Sequence, residues 1–100
     1  MGVNSSAKGD FALAAGSNAT ADGNTSISLG KNTTVNSNQG GIAIGKEITI
    51  DSNALYSTGI GNYLTVNGVY STAIGEHLTA QSRNSFVIGR NNVGAGNPLQ

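Results

Sequence analysis

The sequence predicts an all-β protein that winds as a parallel, two-sided solenoid with coils of about 14 residues. Three observations predict it: a short phrase ending in glycine recurs six times, apolar and small or polar residues alternate around each glycine, and turn-forming residues separate the copies. The steps between successive glycines are 14, 15, 16, 14 and 14 residues. The repeat glycines are Gly16, Gly30, Gly45, Gly61, Gly75 and Gly89.

The first strand of each coil precedes the glycine, as in SISLG (26–30), GIAIG (41–45) and STAIG (71–75). Large apolar residues alternate there with small ones, which is the period-two pattern of a strand with one buried face. We expect the large residues to form the core of the roll: Ile27, Leu29, Ile42, Ile44, Ile60, Ile74, Phe86 and Ile88. The small residues then face outward: Ser28, Ala43, Gly59 and Ala73.

The second strand follows the glycine. The third and fifth residues after the glycine are apolar, and a threonine stands between them. The same alternation predicts that the apolar positions are buried and that threonine faces solvent. The core residues predicted here are Ile48, Ile50, Leu64, Val66 and Leu78. The threonines form one column: Thr20, Thr34, Thr49, Thr65 and Thr79.

Turn formers such as Asp22-Gly23-Asn24, Asn36-Ser37-Asn38 and Asn67-Gly68 close the coils. Because identical phrases stack on one another, the strands should be parallel and about 4.8 Å apart, giving a rod about 30 Å long. A step near 14 residues is shorter than the roughly 18 needed by three-sided hexapeptide helices, so a flat, two-sided coil is predicted.

Composition indicates one domain, residues 1–100, with the repeat cut open at both ends as in a fragment of a longer chain. Five acidic and five basic residues give a net charge of zero, which favours neither nucleic acid nor an anionic membrane as partner. No apolar run is long enough to span a bilayer, so we expect no direct membrane insertion by this segment.

GGIAIGKE (40–47) has the spacing of a phosphate-binding loop up to its last position. That loop needs a serine or threonine hydroxyl for magnesium where Glu47 stands, and it must open a helix. The segment after Glu47 alternates as a strand does, so Gly45 is interpreted as a repeat glycine and Lys46 as a variable residue.

We expect no enzyme, cofactor or metal site. His77 has no convergent partner beyond its neighbour Glu76, and GGIAIG lacks the aspartate of calcium-binding nonapeptide repeats. Tyr56, Tyr63 and Tyr70 are expected near turns, either as contact anchors or packed over the roll.

A single roll this thin buries few side chains per coil against the conformational entropy of about 14 residues. The outward stripe of small residues would let another backbone approach closely. We therefore expect a homo-oligomer that packs through Ser28, Ala43, Gly59 and Ala73.

The phrases SISLGKNTTV, STAIGEHLTA and NSFVIGRNNV resemble the YadA-like head repeats of trimeric autotransporter adhesins, approximately N-S-V-A-I-G-x-x-S-x-A. The resemblance covers nearly the whole chain. It implies a left-handed parallel β-roll, a homotrimer and display on the outer surface of Gram-negative bacteria. Two departures are Thr58 and Thr72, which replace the valine of the motif, and no neck, heptad or anchor segment follows Asn97-Pro98.

Three functions are compatible with the pattern. The favoured one, implied by the resemblance, is a virulence-associated adhesin head that attaches to a host surface protein or extracellular matrix and contributes to autoagglutination, anchored in the outer membrane through a region outside these residues. The alternative is a receptor-binding or spacer segment of a phage tail fibre, since similar repeats occur there. The third is ice binding by the threonine column, although the flanking positions supply no second column.

Overall fold

The computed structural model describes residues 2–37 and 39–90 as an all-β solenoid of about six turns, with no helix in these residues. The prediction of an all-β parallel solenoid is therefore confirmed. Asn38, and the end of the last repeat after Arg90, lie outside the described residues. Eight strands follow one another along the chain: β1 (Ser6–Ala7), β2 (Leu13–Ser17), β3 (Thr20–Ala21), β4 (Ile27–Val35), β5 (Ile42–Ile50), β6 (Thr58–Val66), β7 (Thr72–Ala80) and β8 (Phe86–Arg90).

Every strand pairs in parallel with the equivalent strand of the next coil, in the order β1-β3-β4-β5-β6-β7-β8, with β2 also on β4. The register places each repeat position on its own copy: Gly45 lies between Gly30 and Gly61, and Thr49 between Thr34 and Thr65. The period of the sequence thus becomes the period of the structure, in a flat molecule of 39 × 22 × 13 Å.

Each strand from β4 to β7 contains both predicted strands of its coil: the residues before the repeat glycine are the first strand and those after it the second. The glycine between them, which has a positive φ, is called here the corner. The backbone φ of Gly61 is +139°, in a region that L side chains rarely adopt. A Cβ placed on Gly61 would lie 1.9 Å from the carbonyl oxygen of Gly75 in the next coil. Both the dihedral and the close approach of the neighbouring backbone require glycine at this corner.

The core is formed by large side chains of the second strands packed on small side chains of the first strands. Ile48, Leu64 and Leu78 are at most 1% exposed. Opposite them, a Cβ on Gly59 would meet Ile48 Cγ2 at 3.0 Å. The second-strand core residues are Val35, Ile48, Ile50, Leu64, Val66, Leu78 and Ala80, and the small residues facing them are Ser28, Ala43, Gly59 and Ala73, all buried.

This packing corrects the predicted orientation of the first strand. Its large residues point away from the core: Ile60, Phe86 and Ile88 are exposed, and Ile27, Leu29, Ile42, Ile44 and Ile74 are half-buried. Ser28, Ala43, Gly59 and Ala73 are inside the roll and cannot form the outward contact stripe that the sequence predicted. The physical reason is thickness, because the space between the two strands of a coil holds large side chains from only one of them.

Most of the buried serines are satisfied locally, which makes a partly polar interior tolerable, whereas the Oγ of buried Ser37 has no partner within the described residues. Ser57 and Ser71 donate hydrogen bonds to the carbonyl oxygens three residues earlier, Ala54 and Gly68, both at 2.6 Å. Ser28 Oγ lies 2.8 Å from both the hydroxyl and the carbonyl oxygen of Thr33 across the coil. The bonds of Ser57 and Ser71 fasten the turn to the strand that follows it, and those of Ser28 join the two halves of β4.

Alanine at two aliphatic positions of β6 would test the corrected orientation. Leu64→Ala removes a side chain that is 1% exposed, and should lower the free energy of unfolding by about 2–4 kcal/mol through the cavity it leaves. Ile60→Ala, at 37% exposure, should cost clearly less within one chain. Urea denaturation, measured at a protein concentration low enough to keep the chain monomeric, gives the unfolding free energy of each variant. An equal or larger loss at Ile60 would contradict the orientation.

Candidate interaction surfaces

The outward side of the first strands forms one large apolar surface, called here the apolar face. Its side chains align along the rod: Leu29 pairs with Ile44, and Ile44 pairs with Ile60. Phe86 is 67% exposed and Leu13 49%. An exposed apolar patch that continues over many coils is typical of an interaction surface. The apolar face comprises two columns: Leu29, Ile44, Ile60, Ile74 and Ile88 in one, and Leu13, Ile27, Ile42 and Phe86 in the other, where Thr58 and Thr72 stand between Ile42 and Phe86.

The opposite side of the roll is polar. Its centre is the threonine column, in which each threonine pairs with the next from Thr20 to Thr79. The immediate neighbours of Thr49 along its strand, Ile48 and Ile50, are fully buried. The same holds for Thr65 between Leu64 and Val66, so these threonines stand as one column rather than two.

The two long edges of the roll each carry a column of residues in the left-handed backbone conformation. The first edge holds the second residue after each glycine: Asn18, Asn32, Glu47, Tyr63 and His77. The second edge holds the fifth residue before each glycine: Phe11, Thr25, Gly40, Tyr56, Tyr70 and Asn84. Sequence reasoning missed both columns. The sequence signal that could have revealed them was the asparagines and Gly40 at these positions, because asparagine and glycine adopt a positive φ at the least cost.

Aromatic rings stack along both edges. Tyr56 and Tyr70 lie with centroids 5.6 Å apart and planes 8° from parallel, on the second edge. Tyr63 and His77 stack at 4.9 Å and 4° on the first edge, with Lys46 Nζ 5.7 Å from the Tyr63 centroid. The tyrosines are 45–56% exposed. Each tyrosine therefore stacks on a neighbouring ring and still presents about half its surface to solvent.

Polar side chains also form ladders near the first edge. Asn32 accepts a hydrogen bond from Asn18 at 3.1 Å and donates one to the carboxylate of Glu47 at 2.9 Å. Arg90 Nε lies 2.8 Å from Glu76 Oε1 in an exposed ion pair. These contacts link successive coils, and surface pairs of this kind contribute little to stability individually.

The residues considered for catalysis or ligand binding are dispersed. His77 is part of an aromatic stack, and the described residues contain no group of three or more His, Asp or Glu that could hold a metal ion. Gly45 and Lys46 lie within β5, where each pairs with its counterpart in the next coil, and no helix follows them as a phosphate-binding loop requires. Residues 2–37 and 39–90 also include no helix long and apolar enough to cross a bilayer.

Neither a scan against protein-family models nor a search of curated proteins returned a match to this sequence. The surfaces themselves therefore carry the functional argument.

Proposed function

We propose that this chain is the head of a cell-surface adhesin, a left-handed β-roll that assembles as a homotrimer and attaches to a host surface protein or extracellular matrix. The observation that supports it most directly is the apolar face. The proposed function is non-enzymatic. In this function the segment lies outside the cell and is anchored to the outer membrane by a region beyond these residues.

A second copy of the same chain is the occupant that fits the apolar face best. The face is flat, runs along the rod and repeats with the coil, so an identical face can match it coil by coil. Burying this face in an assembly would stabilise it by about 25 cal/mol for each Å² of apolar surface removed from water. The trimeric state comes from the resemblance to YadA-like heads, whereas the contact surface is inferred from the side chains that point outward.

With the apolar face at a shared axis, the polar side and the edges remain at the surface. They carry few charges. A threonine hydroxyl recurs at each coil, and asparagine amides and tyrosine rings occur on some coils of the two edges. A periodic surface of this kind suits many weak contacts with an extended partner, and three chains multiply those contacts.

Coated beads test the adhesive function. Beads carrying the 100-residue chain should bind cultured epithelial cells, or immobilised collagen, fibronectin or laminin, in a saturable manner. Beads carrying the heat-unfolded chain and beads carrying albumin are the controls. Binding no greater than that of albumin beads to all of these targets would overturn the proposal. Binding to bacterial cells instead would identify the phage-fibre alternative.

A further inference from the structure

The second edge contains an aromatic ring with one side left open by the sequence. Tyr56 stacks on Tyr70 in the following coil, while the preceding position of the same column is Gly40, which has no side chain. A Cβ on Gly40 would lie 2.8 Å from Cδ1 and 3.2 Å from Cε1 of Tyr56. One edge of the ring thus lies close to Gly40, and no side chain at position 40 stands beside the ring on the side of the preceding coil.

The matching ring on the first edge differs. Tyr63 is stacked on His77 on one side and approached by the Lys46 ammonium, 5.7 Å from its centroid. Both sides of that ring therefore already meet a side chain. The contrast singles out Tyr56, 51% exposed, because the preceding position of its column supplies no side chain to cover the ring.

Neutral hydrogen-bonding residues occupy the same turns as Tyr56 on the preceding coils, where the backbone N–H of Tyr56 donates to the carbonyl oxygen of Gln39. Asn24 and Gln39 are exposed and lie next to Thr25 and Gly40 on adjacent coils, joined by a backbone bridge. Thr25 adds a hydroxyl, which donates to the carbonyl oxygen of Asn24, and the amide oxygen of Asn24 accepts from the backbone N–H of Asp10. The Asn24 amide nitrogen, the Gln39 amide and the lone pairs of the Thr25 hydroxyl are the neutral groups offered to a ligand. An apolar ring face beside amides and a hydroxyl matches a ligand that has a flat C–H face and neutral hydroxyls on its rim.

From this arrangement we propose that the Tyr56–Tyr70 stack, with Gly40 and the flanking Asn24, Thr25 and Gln39, binds a neutral pyranose ring of a glycan. The sugar's C–H face lies on Tyr56, and its hydroxyls exchange hydrogen bonds with the amides and with Thr25. Tyr70 holds the Tyr56 ring in position from behind. This inference rests on the proposed adhesin function for its setting, and names the class of receptor that this edge of the head recognises.

Protein NMR of the full 100-residue chain titrated with maltotriose, triacetylchitotriose or lactose tests the site. At least one of these neutral saccharides should shift the ring signals of Tyr56 and Tyr70 in a saturable manner, and sialyllactose should not bind more tightly. Tyr56→Asn should weaken binding at least about tenfold, the effect of losing a contact anchor. Asparagine tolerates the left-handed conformation, so this variant should remain folded.

Tyr63→Asn is the matched control, because it removes a stacked tyrosine from the same conformation on the other edge. It should change saccharide affinity by less than about twofold. Gly40→Asn is a second variant, which keeps the ring but puts a side chain against it, and it should also weaken binding. The inference is overturned if no saccharide shifts the Tyr56 signals, or if Tyr63→Asn and Tyr56→Asn weaken binding equally.

The coated beads separate this inference from the proposed function. If Tyr56→Asn beads, and wild-type beads on periodate-treated cells, still adhere fully, the adhesin proposal stands and the glycan site is wrong. If wild-type beads fail to adhere while the NMR titration shows the saccharide on Tyr56, the site stands and the adhesin proposal is wrong.

Discussion

Gly61→Ala is expected to prevent the roll from folding. The new Cβ would lie 1.9 Å from the carbonyl oxygen of Gly75, a backbone atom of the next coil that cannot move without disturbing the ladder. The alanine would also have to adopt a φ of +139°, which is unfavourable for any residue with a side chain. We expect a loss of more than about 4 kcal/mol in the free energy of unfolding. Far-UV circular dichroism at 25 °C should show loss of the β signal.

Gly59→Ala, two residues earlier in β6, is the matched control. Its neighbours in register are Ala43 and Ala73, so a methyl group is already accommodated in this column. The closest contact of the added Cβ would be Ile48 Cγ2 at 3.0 Å, which requires a small shift of a side chain rather than of backbone. The change in unfolding free energy should stay within about 1.5 kcal/mol. A folded Gly61→Ala protein with near wild-type stability would contradict the geometry of the corner.

Ile60→Asp is expected to dissociate the proposed oligomer into monomers. Ile60 lies in the apolar face, between Ile44 and Ile74 in register, and a carboxylate buried there without a partner would be strongly unfavourable. Because the side chain is already 37% exposed in the single chain, the same change should not unfold an isolated roll. Sedimentation velocity should show a shift from a trimer to a monomer at micromolar concentrations.

Thr65→Asp is the control for that experiment. It introduces the same charge in the same strand, at an exposed position on the opposite side of the roll. The sedimentation coefficient should stay at the wild-type value. If Thr65→Asp dissociates the assembly and Ile60→Asp does not, the contact surface is the polar side. If the wild-type chain is already monomeric, the homotrimer is wrong.

Stacking in register could be predicted from the sequence because a repeat has one low-cost way to bury its alternating residues. When each copy lies on the next, Gly45 meets Gly30 and Gly61, and the threonines form a column without any further choice. The residues of the second strand also allow one assignment only, since Ile48 and Ile50 flank a threonine. The burial of these residues therefore agrees with the sequence pattern.

The aromatic stacks on the edges were out of reach of the pattern. The sequence could place Tyr56, Tyr63 and Tyr70 near turns. Which rings meet depends on the left-handed backbone conformation of the two edge columns, which aligns them. Glu47 and Tyr63 occupy this conformation with φ near +56°, although neither residue type favours it. Positions of that kind are set by the closure of the coil, which no local preference reveals.

The repeat in the amino-acid sequence was enough to predict parallel coils and their register. Which side of the first strand faces the interior was decided only in three dimensions. An alternating strand has two possible orientations, and Ile42–Ala43–Ile44 is compatible with both. The choice follows from the narrow space left by Ile48 and Ile50 of the second strand, which admits the methyl group of Ala43 and turns the isoleucines outward.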